Sequence, residues 1–341
     1  MYVTHPRYVE HDLPTHPEHA GRIRAVWKLL EDSGLTKKLI SVQAAEADQQ
    51  AIQAVHHASY LDLLERISQQ PHMARLDADT YAAPVSYEIA RLAAGGVLKA
   101  AVAVAQGEVD NAMAVVRPPG HHAIPQRGMG FCLLNNVAIA ARYTQQTTRI
   151  KRLLIVDDDV HHGNGTEAVF YNDPSVLFIS IHQSPLYPGT GEFEDTGSGD
   201  GRGTTINIPL PAGHGDASYA ALFEQVVWKA AQRFQPDMIL ASTGFDAHWT
   251  DPLAGMRRTL TGYAHTTREL IKMANSLCGG KIAFVMEGGY DLDTLGYGWV
   301  NIAHALLGND ETIDPLGQGK QRSTEPDISP VLERVKRIHR L

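Results

Sequence analysis

Apolar residues occur along the chain in two patterns: short, almost continuous runs, and longer stretches with apolar positions at helical spacing. The short runs predict strands at 112–116, 152–156, 176–181, 238–242 and 282–286. The helical spacing predicts helices at 16–33, 86–106, 216–234 and 260–278. Short apolar strands that alternate with helices are typical of a parallel sheet covered on both faces. We therefore predict an α/β fold with a central, mainly parallel sheet flanked by helices.

The chain shows no sign of a domain boundary before about residue 308. No charge-rich or Gly/Ser-rich linker interrupts the sequence up to that point, and it contains no internal repeat. After residue 308 the composition becomes polar. We predict one domain over residues 1–308 and a polar extension over 309–341, whose last part forms a short helix that packs on or near the domain.

Composition restricts the function only broadly. Apolar residues make up 43% of 341 residues, which is enough for a sizeable core, and the formal net charge of −8 leaves no basic footprint for nucleic acid or an anionic membrane. The two cysteines, Cys132 and Cys278, have no paired spacing, and the N-terminus has no apolar signal segment. We expect a cytoplasmic protein without a disulfide framework, a nucleic-acid partner or a membrane partner.

Polar residues that suit catalysis follow several of the predicted strands. In parallel sheets, functional residues collect just beyond the carboxyl ends of the strands. The residues at these positions are His121 and His122, 157–162, Asp246 and Tyr290. We expect these side chains to converge on one edge of the sheet and to form a site there.

The acidic segment 157–162, which follows the predicted strand 152–156, has the residue spacing of a metal site. If the chain is still extended there, Asp157, Asp159 and His161 point to one side and Asp158 points to the other. Asp159 and His161 can then bind one metal ion together, with Asp246 from another strand end as the third ligand. Two carboxylates and one imidazole leave a position open for water and substrate, as in catalytic zinc sites.

The adjacent histidines and Tyr290 suit the remaining chemistry. A single loop histidine is more often a solvated residue than a catalyst, but His121 and His122 follow a stiff Arg-Pro-Pro-Gly segment at an expected strand end. Imidazole is well matched to acid–base catalysis near neutral pH. Tyr290 follows two glycines that can bring it close to a reacting carbonyl.

Six segments carry a resemblance to a known family. They are RPPGHHA (117–123), GFCLLNN (130–136), DDDVHHGNGT (157–166), PLYPGTG (185–191), GFDAHWTDPLAG (244–255) and EGGY (287–290). In this order they resemble the histone deacetylase family, together with its bacterial relatives and the acetylpolyamine amidohydrolases, over about residues 16 to 300. The resemblance implies an arginase/deacetylase-like fold and the hydrolysis of an N-acyl amide, in the first place acetyl-lysine, to acetate and a free amine.

The resemblance also implies roles for individual residues. The implied zinc (Zn²⁺) ligands are Asp159, His161 and Asp246, with iron(II) (Fe²⁺) as an alternative ion. The implied catalytic group consists of His122 as general base and acid, its neighbour His121, the oxyanion donor Tyr290, and the orienting residues Asp157 and Asn164. The implied substrate tunnel is formed by Gly130, Phe131, Tyr187 and Leu253, with Arg22 near its floor. The implied structural potassium (K⁺) site uses Asp157, Asp159, His161, Ser180 and Ile181.

Two positions bear on how this chain differs from its relatives. Position 158 is usually apolar or aromatic in the family, whereas here it is Asp158, which we expect to face away from the metal with altered packing or a solvent contact. Leu253 stands where one lineage of polyamine-specific relatives has an acid. We therefore predict acyl-lysine peptides or proteins as substrates in preference to small acetylated amines, although Asp79 is a candidate rim acid. A homo-oligomer is compatible with the sequence.

Three other functions fit the residues less well. Arginases and agmatinases hold two manganese ions, but here Gly163 and His248 replace two of the carboxylates that their motifs require. A non-catalytic acyl-lysine-binding module would lack His122, Tyr290 or a metal ligand, and none is missing. A serine or cysteine hydrolase is disfavoured because no Gly-x-Ser-x-Gly segment occurs and Cys132 lies in an apolar run.

Overall fold

The computed structural model describes residues 1–319 and 324–341. Its strands are β1 (Tyr2–Thr4), β2 (Ser41–Gln43), β3 (Ala74–Arg75), β4 (Tyr81–Ala82), β5 (Asn111–Ala114), β6 (Leu153–Asp157), β7 (Val176–Gln183), β8 (Thr205–Leu210), β9 (Met238–Thr243) and β10 (Ile282–Met286). Eight of them form one sheet in the order β2-β1-β5-β10-β9-β6-β7-β8, and every neighbouring pair is parallel. Strands β3 and β4 form a separate antiparallel pair. The predicted α/β fold with a central parallel sheet is confirmed.

Helices flank this sheet. They are α1 (Gly21–Asp32), α2 (Gln49–Gln53), α3 (Ala58–Ser68), α4 (Ser86–Gln106), α5 (Asn136–Thr147), α6 (Asn164–Phe170), α7 (Asp216–Leu222), α8 (Trp228–Phe234), α9 (Leu260–Leu277), α10 (Leu292–Leu306) and α11 (Ser329–His339). A π-helical turn, Phe223–Val227, joins α7 to α8. Helices α4 and α5 pack together, and α10 packs between α1 and α9. None of the helices in the described residues is long and apolar enough to cross a membrane.

The middle of the sheet forms the core. All residues of β6, β9 and β10 are buried, which explains their continuous apolar sequences, because a strand covered on both faces has no polar side. The polar exceptions lie at the carboxyl ends of the strands: Asp157 in β6, and Ser242 and Thr243 in β9. The carboxyl ends of these neighbouring strands therefore mark the edge at which apolar packing ends and polar side chains begin.

Several element boundaries differ from the sequence prediction. Helix α1 begins at Gly21 rather than at residue 16, because the preceding residues form a loop in which Asp12 Oδ1 accepts a hydrogen bond from the Ala20 amide at 2.7 Å. Strands β1 and β2 were not predicted, since three residues are too few to form a recognisable apolar run. Strand β8, TINIPL, was also missed because polar residues and Pro209 interrupt its apolar pattern.

The C-terminal part contacts the rest of the chain. Helix α11 buries Leu332 and Val335 and packs against β8 and the π-helical turn. The carboxylate of Glu325 accepts hydrogen bonds from the amides of Gly215 and Ser218 at 2.9 and 3.1 Å, where α7 begins. The predicted extended segment also includes residues 320–323, which lie outside the described residues. Where the structure describes the extension, it therefore contributes packing and helix-capping contacts.

Candidate active site

The loops that follow the central strands meet at the carboxyl edge of the sheet. Strand β6 lies next to β9, and β9 lies next to β10. The loop after β6 carries Asp159 and His161, the loop after β9 carries Asp246, and the loop after β10 carries Tyr290. Because parallel strands all end at the same edge, residues that are far apart in sequence lie together there.

Asp159, His161 and Asp246 form a buried group that could hold a metal ion. One potential ligand atom from each residue lies within 4.8 Å of the others, and no further cluster of three such residues occurs in the described ranges. His161 Nδ1 is 3.2 Å from Asp159 Oδ1 and 3.1 Å from Asp246 Oδ2. Burial and the neighbouring Asp159 carboxylate raise the pKa of Asp246. A divalent cation fits this donor set because it would offset the repulsion between the two carboxylates.

The glycine at position 288 lets the loop after β10 approach this group closely. The amide of Gly288 donates a hydrogen bond to Asp159 Oδ2 at 2.7 Å. A Cβ atom at Gly288 would lie 2.3 Å from Asp246 Oδ2 and 2.5 Å from Asp159 Oδ2. No side chain fits in this space, so glycine is needed here for the backbone to contact both carboxylates.

The two adjacent histidines have different electrostatic environments. His121 Nδ1 is 3.0 Å from Asp157 Oδ2, and His122 Nδ1 is 2.8 Å from Asn164 Oδ1. Burial alone would lower the pKa of His121, but Asp157 and Asp159 raise it well above the ordinary value. Burial and the charge on His121 lower the pKa of His122 well below the ordinary value. His122 is therefore a neutral imidazole that can accept a proton, next to a charged neighbour.

Glu287 supports the histidine loop, a role that the sequence prediction did not give it. Its Oε2 atom accepts hydrogen bonds from the amides of Gly120 and His121 at 2.7 and 3.2 Å, and its Oε1 atom accepts one from Ser242 Oγ at 2.8 Å. Burial raises the pKa of Glu287 to about 7, although the charge on His121 opposes the shift. The sequence offered one clue to this role, because Glu287 comes directly after the buried strand β10.

A cavity of about 220 Å³ leads to the metal-binding group. Its lining residues are Asp79, His122, Gly130, Phe131, His161, Leu186, Tyr187, Leu253 and Tyr290. All four predicted tunnel residues are therefore among those that line it. Gly130 has a φ of +55° and is packed so tightly that a Cβ atom there would lie 2.4 Å from the ring of His122. Asp79, the candidate rim acid, also lines the cavity, and Leu186 is a further lining residue to which the sequence prediction gave no role.

Arg22 lies behind this cavity and does not line it. Its guanidinium carbon is 4.9 Å from the centre of the Tyr290 ring, and its Nε donates a hydrogen bond to the Gly289 carbonyl at 2.7 Å. Glu18 accepts a hydrogen bond from Arg22 at 3.2 Å and two from Arg117 at 2.8 and 2.7 Å. Arg22 thus holds the tyrosine loop, and the Glu18 carboxylate links that loop to the segment before the histidines.

Asp158 faces away from the metal-binding group, but it contacts an arginine and not solvent. Strand β6 ends at Asp157, so the alternation of an extended strand does not apply to the residues that follow. The Asp158 side chain is 6% exposed and forms an ion pair with Arg258 at 3.1 Å. The Arg258 guanidinium also lies between the rings of Tyr219 and Tyr263, at 4.1 and 3.6 Å from their centres. Of the two environments expected for Asp158, the structure has the altered packing, a buried ion pair, and not the solvent contact.

The residues predicted to bind potassium are neighbours in the sheet. Ser180 is paired with Asp157 in the β6–β7 register, and Ile181 follows it in β7. Ser180 Oγ lies 2.9 Å from His182 Nδ1. This arrangement places the predicted residues together, and potassium binding stays a prediction.

His248, which argued against a second metal ion, and the nearby Asp251 have hydrogen-bond partners outside the metal-binding group. His248 Nδ1 is 2.8 Å from Thr250 Oγ1, and Asp251 Oδ2 accepts a hydrogen bond from the Tyr290 amide at 2.8 Å. Neither residue belongs to the metal-binding group. Cys132 is fully buried, and burial raises the pKa of its thiol well above the ordinary value. A thiol in this environment stays protonated and is a poor nucleophile.

Comparison with known proteins identifies the family of this fold and site. The histone deacetylase domain model matches residues 16–306. Histone deacetylase 14 (chloroplastic) from Arabidopsis thaliana is 38% identical over 347 residues, which cover 96% of this chain and 82% of the relative. A probable deacetylase from Archaeoglobus fulgidus is 38% identical over 349 residues, covering 99% and 96% respectively. The crystal structure of the HDA15 HD domain superposes with a TM-score of 0.90 at 36% identity, covering 99% of this chain and 93% of that one.

The fold and the site thus define a hydrolase that acts as a deacetylase. The chain belongs to the histone deacetylase family, as its sequence motifs predicted.

Proposed function

We propose that this chain is a zinc-dependent deacetylase that hydrolyses acyl-lysine, in the first instance acetyl-lysine, in peptides or proteins. One observation carries the proposal: His161 of the metal-binding group lines the same cavity as His122 and Tyr290. A metal ion, a proton acceptor and a hydroxyl donor would all reach a substrate held in that cavity. This combination supplies what metal-assisted hydrolysis of an unactivated amide uses.

The residues of the chain would divide the reaction between them. A bound zinc ion at Asp159, His161 and Asp246 would supply a Lewis acid that polarises the amide carbonyl and acidifies a water molecule. The neutral ring of His122 would accept the proton from the attacking water and deliver one to the leaving amine. Burial keeps the pKa of the Tyr290 hydroxyl well above its ordinary value, so this hydroxyl would donate a hydrogen bond to the oxygen as negative charge develops there.

Neighbouring residues support this assignment. The hydrogen bonds of Asp157 to His121 and of Asn164 to His122 would fix the orientation of both imidazoles. Apolar and aromatic walls at Phe131, Tyr187 and Leu253 suit the methylene stem of a lysine side chain. A potassium ion beside Asp157, Ser180 and Ile181, and iron(II) in place of zinc, are further parts of this proposal.

Acetylpolyamine hydrolysis is the second candidate, and Asp79 favours it. This exposed acid lines the cavity that also contains Leu253 and Tyr290, so its charge would attract the distal ammonium of a polyamine. Leu253 contributes apolar surface at the same cavity and favours the lysine stem. We retain acyl-lysine as the main substrate because aromatic and aliphatic side chains form most of the lining.

The test measures products and metal on one preparation. After zinc loading, we expect one zinc ion per chain, and we expect equal amounts of acetate and free lysine from an acetyl-lysine peptide. Acetylspermidine, assayed at the same ionic strength, should have a lower kcat/KM. Two zinc ions per chain, or no acetate from either substrate, would contradict the proposed deacetylase. A tenfold advantage for acetylspermidine would leave the deacetylase in place but reverse the substrate preference.

A further inference from the structure

A second cavity, of about 720 Å³, lies at the opposite edge of the sheet. Arg152 precedes the first residue of β6, and Thr204 precedes the first residue of β8, so this cavity lies at the amino ends of the strands. The C-terminal ends of α8 and α11 complete its wall. We call it the arginine pocket, because its lining includes Arg152, Arg202, Arg233 and Arg340. It shares no residue with the active-site cavity.

The arginine pocket concentrates positive charge on a chain whose net charge is −8. None of its lining residues is an aspartate or a glutamate. Within residues 1–319 and 324–341, none of the four guanidinium groups has a carboxylate within 4.0 Å. Asp237, which lies close by, instead accepts hydrogen bonds from the amides of Lys151 and Arg152. The positive charge of the pocket is therefore not neutralised by paired acids.

Two of the arginines are held in place by backbone carbonyls. Arg233 Nη1 donates a hydrogen bond to the His339 carbonyl at 2.7 Å. Arg152 donates one to the Phe234 carbonyl, and its guanidinium carbon lies 4.4 Å from the centre of the Phe234 ring. A guanidinium has five N–H donors, so each of these groups keeps donors for an anion. Planar guanidinium groups that are already oriented suit the bidentate binding of phosphate.

The pocket wall also includes a neutral histidine. His339 lines the pocket and is 6% exposed, yet its Nε2 atom has no hydrogen-bond partner in the described chain. Burial and the charge of Arg233 lower the pKa of this histidine to about 4, so the ring is neutral. The positive charge of the pocket therefore comes from its arginines alone.

The apolar part of the lining indicates which kind of anion fits. Leu177, Phe234 and Ile338 contribute aliphatic and aromatic surface next to the arginines. The volume of the pocket falls within the usual range for small-molecule sites, about 300–1,000 Å³. We propose that the arginine pocket binds an organic phosphate of nucleotide size, with its phosphate on the guanidinium groups and its ring on the apolar surface. A concave site on an acidic chain suits a small phosphate ester better than the extended backbone of a nucleic acid.

The test titrates three probes into the zinc-loaded full chain by calorimetry at fixed ionic strength. The probes are inorganic phosphate, AMP and a single-stranded oligonucleotide. We expect AMP to bind at one site per chain and at least tenfold more tightly than phosphate, because only AMP contacts the apolar surface. No saturable AMP binding at millimolar concentration, or equal affinity for AMP and phosphate, would overturn the proposal. Tighter binding of the oligonucleotide than of AMP would also overturn it, in favour of a nucleic-acid surface.

Variants show whether the binding occurs in this pocket. Arg202→Gln and Arg340→Gln are suitable because both side chains are exposed and form no hydrogen bond or ion pair within the described residues, so their loss should leave the fold intact. Each should weaken AMP binding about tenfold, as expected for a lost charge-assisted contact. Arg24→Gln, an exposed arginine of α1 outside the pocket, is the matched control and should bind AMP normally. Equal AMP affinity in all three variants would overturn the proposed site.

Discussion

Replacing Asp158 or Arg258 singly should destabilise the protein, whereas replacing both should not. The two side chains are 6% and 0% exposed and lie 3.1 Å apart. Removing one member of a buried ion pair leaves an uncompensated charge and typically costs about 3–5 kcal/mol, while replacing both by apolar residues is often neutral. We therefore consider Asp158→Leu, Arg258→Met and the double variant. Leucine is close to aspartate in size and carries no charge, and methionine can fill the space between two aromatic rings.

The contacts of Asp158 and Arg258 determine how much stability each single variant should lose. In Asp158→Leu, Arg258 keeps its hydrogen bond to Thr266 Oγ1 at 2.6 Å and its contacts with Tyr219 and Tyr263, so the cost should lie at the lower end of the range. In Arg258→Met, the pair and both guanidinium–ring contacts are lost, so the cost should lie at the upper end. At about 2 °C per kcal/mol for a large domain, the single variants should melt roughly 6–10 °C below the parent.

Thermal unfolding of the parent, the two single variants and the double variant, at equal zinc saturation, checks this prediction. The double variant should melt within about 3 °C of the parent, because no buried charge is left unpaired. The same cycle on Lys99 and Glu108, an ion pair with side chains 42% and 48% exposed, is the control and should show little coupling. If the double variant at 158 and 258 lost as much stability as the two single variants together, the argument from charge pairing would be refuted.

Three further predictions concern the active site. Asp246→Ala should lose bound metal and activity together, so elemental analysis that found the variant fully loaded would exclude Asp246 as a ligand. His122→Ala and Tyr290→Phe should keep their metal but lose kcat, by on the order of 100-fold or more, and near-parental kcat at saturating acetyl-lysine peptide would reject the assigned role. Leu253→Glu should shift kcat/KM towards acetylspermidine and Asp79→Asn should shift it away, because each changes the charge at the cavity; unchanged ratios would mean that neither side chain contacts the substrate.

The sequence predicted the helices and strands that have a recognisable pattern within their own residues. Helix α4 was placed at 86–106, where the structure has it, because a long helical pattern ends at Gly107, whose φ of +74° terminates the helix. The buried strands β9 and β10 were located to within one residue by their continuous apolar runs. Strands β1 and β2 escaped because their three residues become strands only through pairing with distant segments, and no local pattern records that pairing.

The sequence also predicted that the residues of the candidate site lie close together, because the ends of parallel strands bring together residues that are distant in sequence. The rule that parallel sheets collect polar residues at their carboxyl edge was sufficient to bring Asp159, His161 and Asp246 together. The same rule did not predict the hydrogen bonds that support these residues. Glu287 reaches the amide of Gly120, 167 residues away, through a loop path that the strand pattern does not determine.

Asp158 shows that a correct prediction of where a side chain points does not predict what it contacts. Strand alternation placed this side chain away from the metal-binding group, and it does point away, although the strand has already ended at Asp157. The prediction left altered packing and a solvent contact open, because alternation gives the direction of a side chain and not its partner. What makes its burial tolerable is Arg258, 100 residues further along the chain. The amide of Arg258 in turn donates a hydrogen bond to the Ala247 carbonyl, directly after Asp246, so the ion pair connects the two loops that supply the metal-binding residues. An unusual charge beside a candidate metal ligand should therefore prompt a search for its partner on the other loops of the same site.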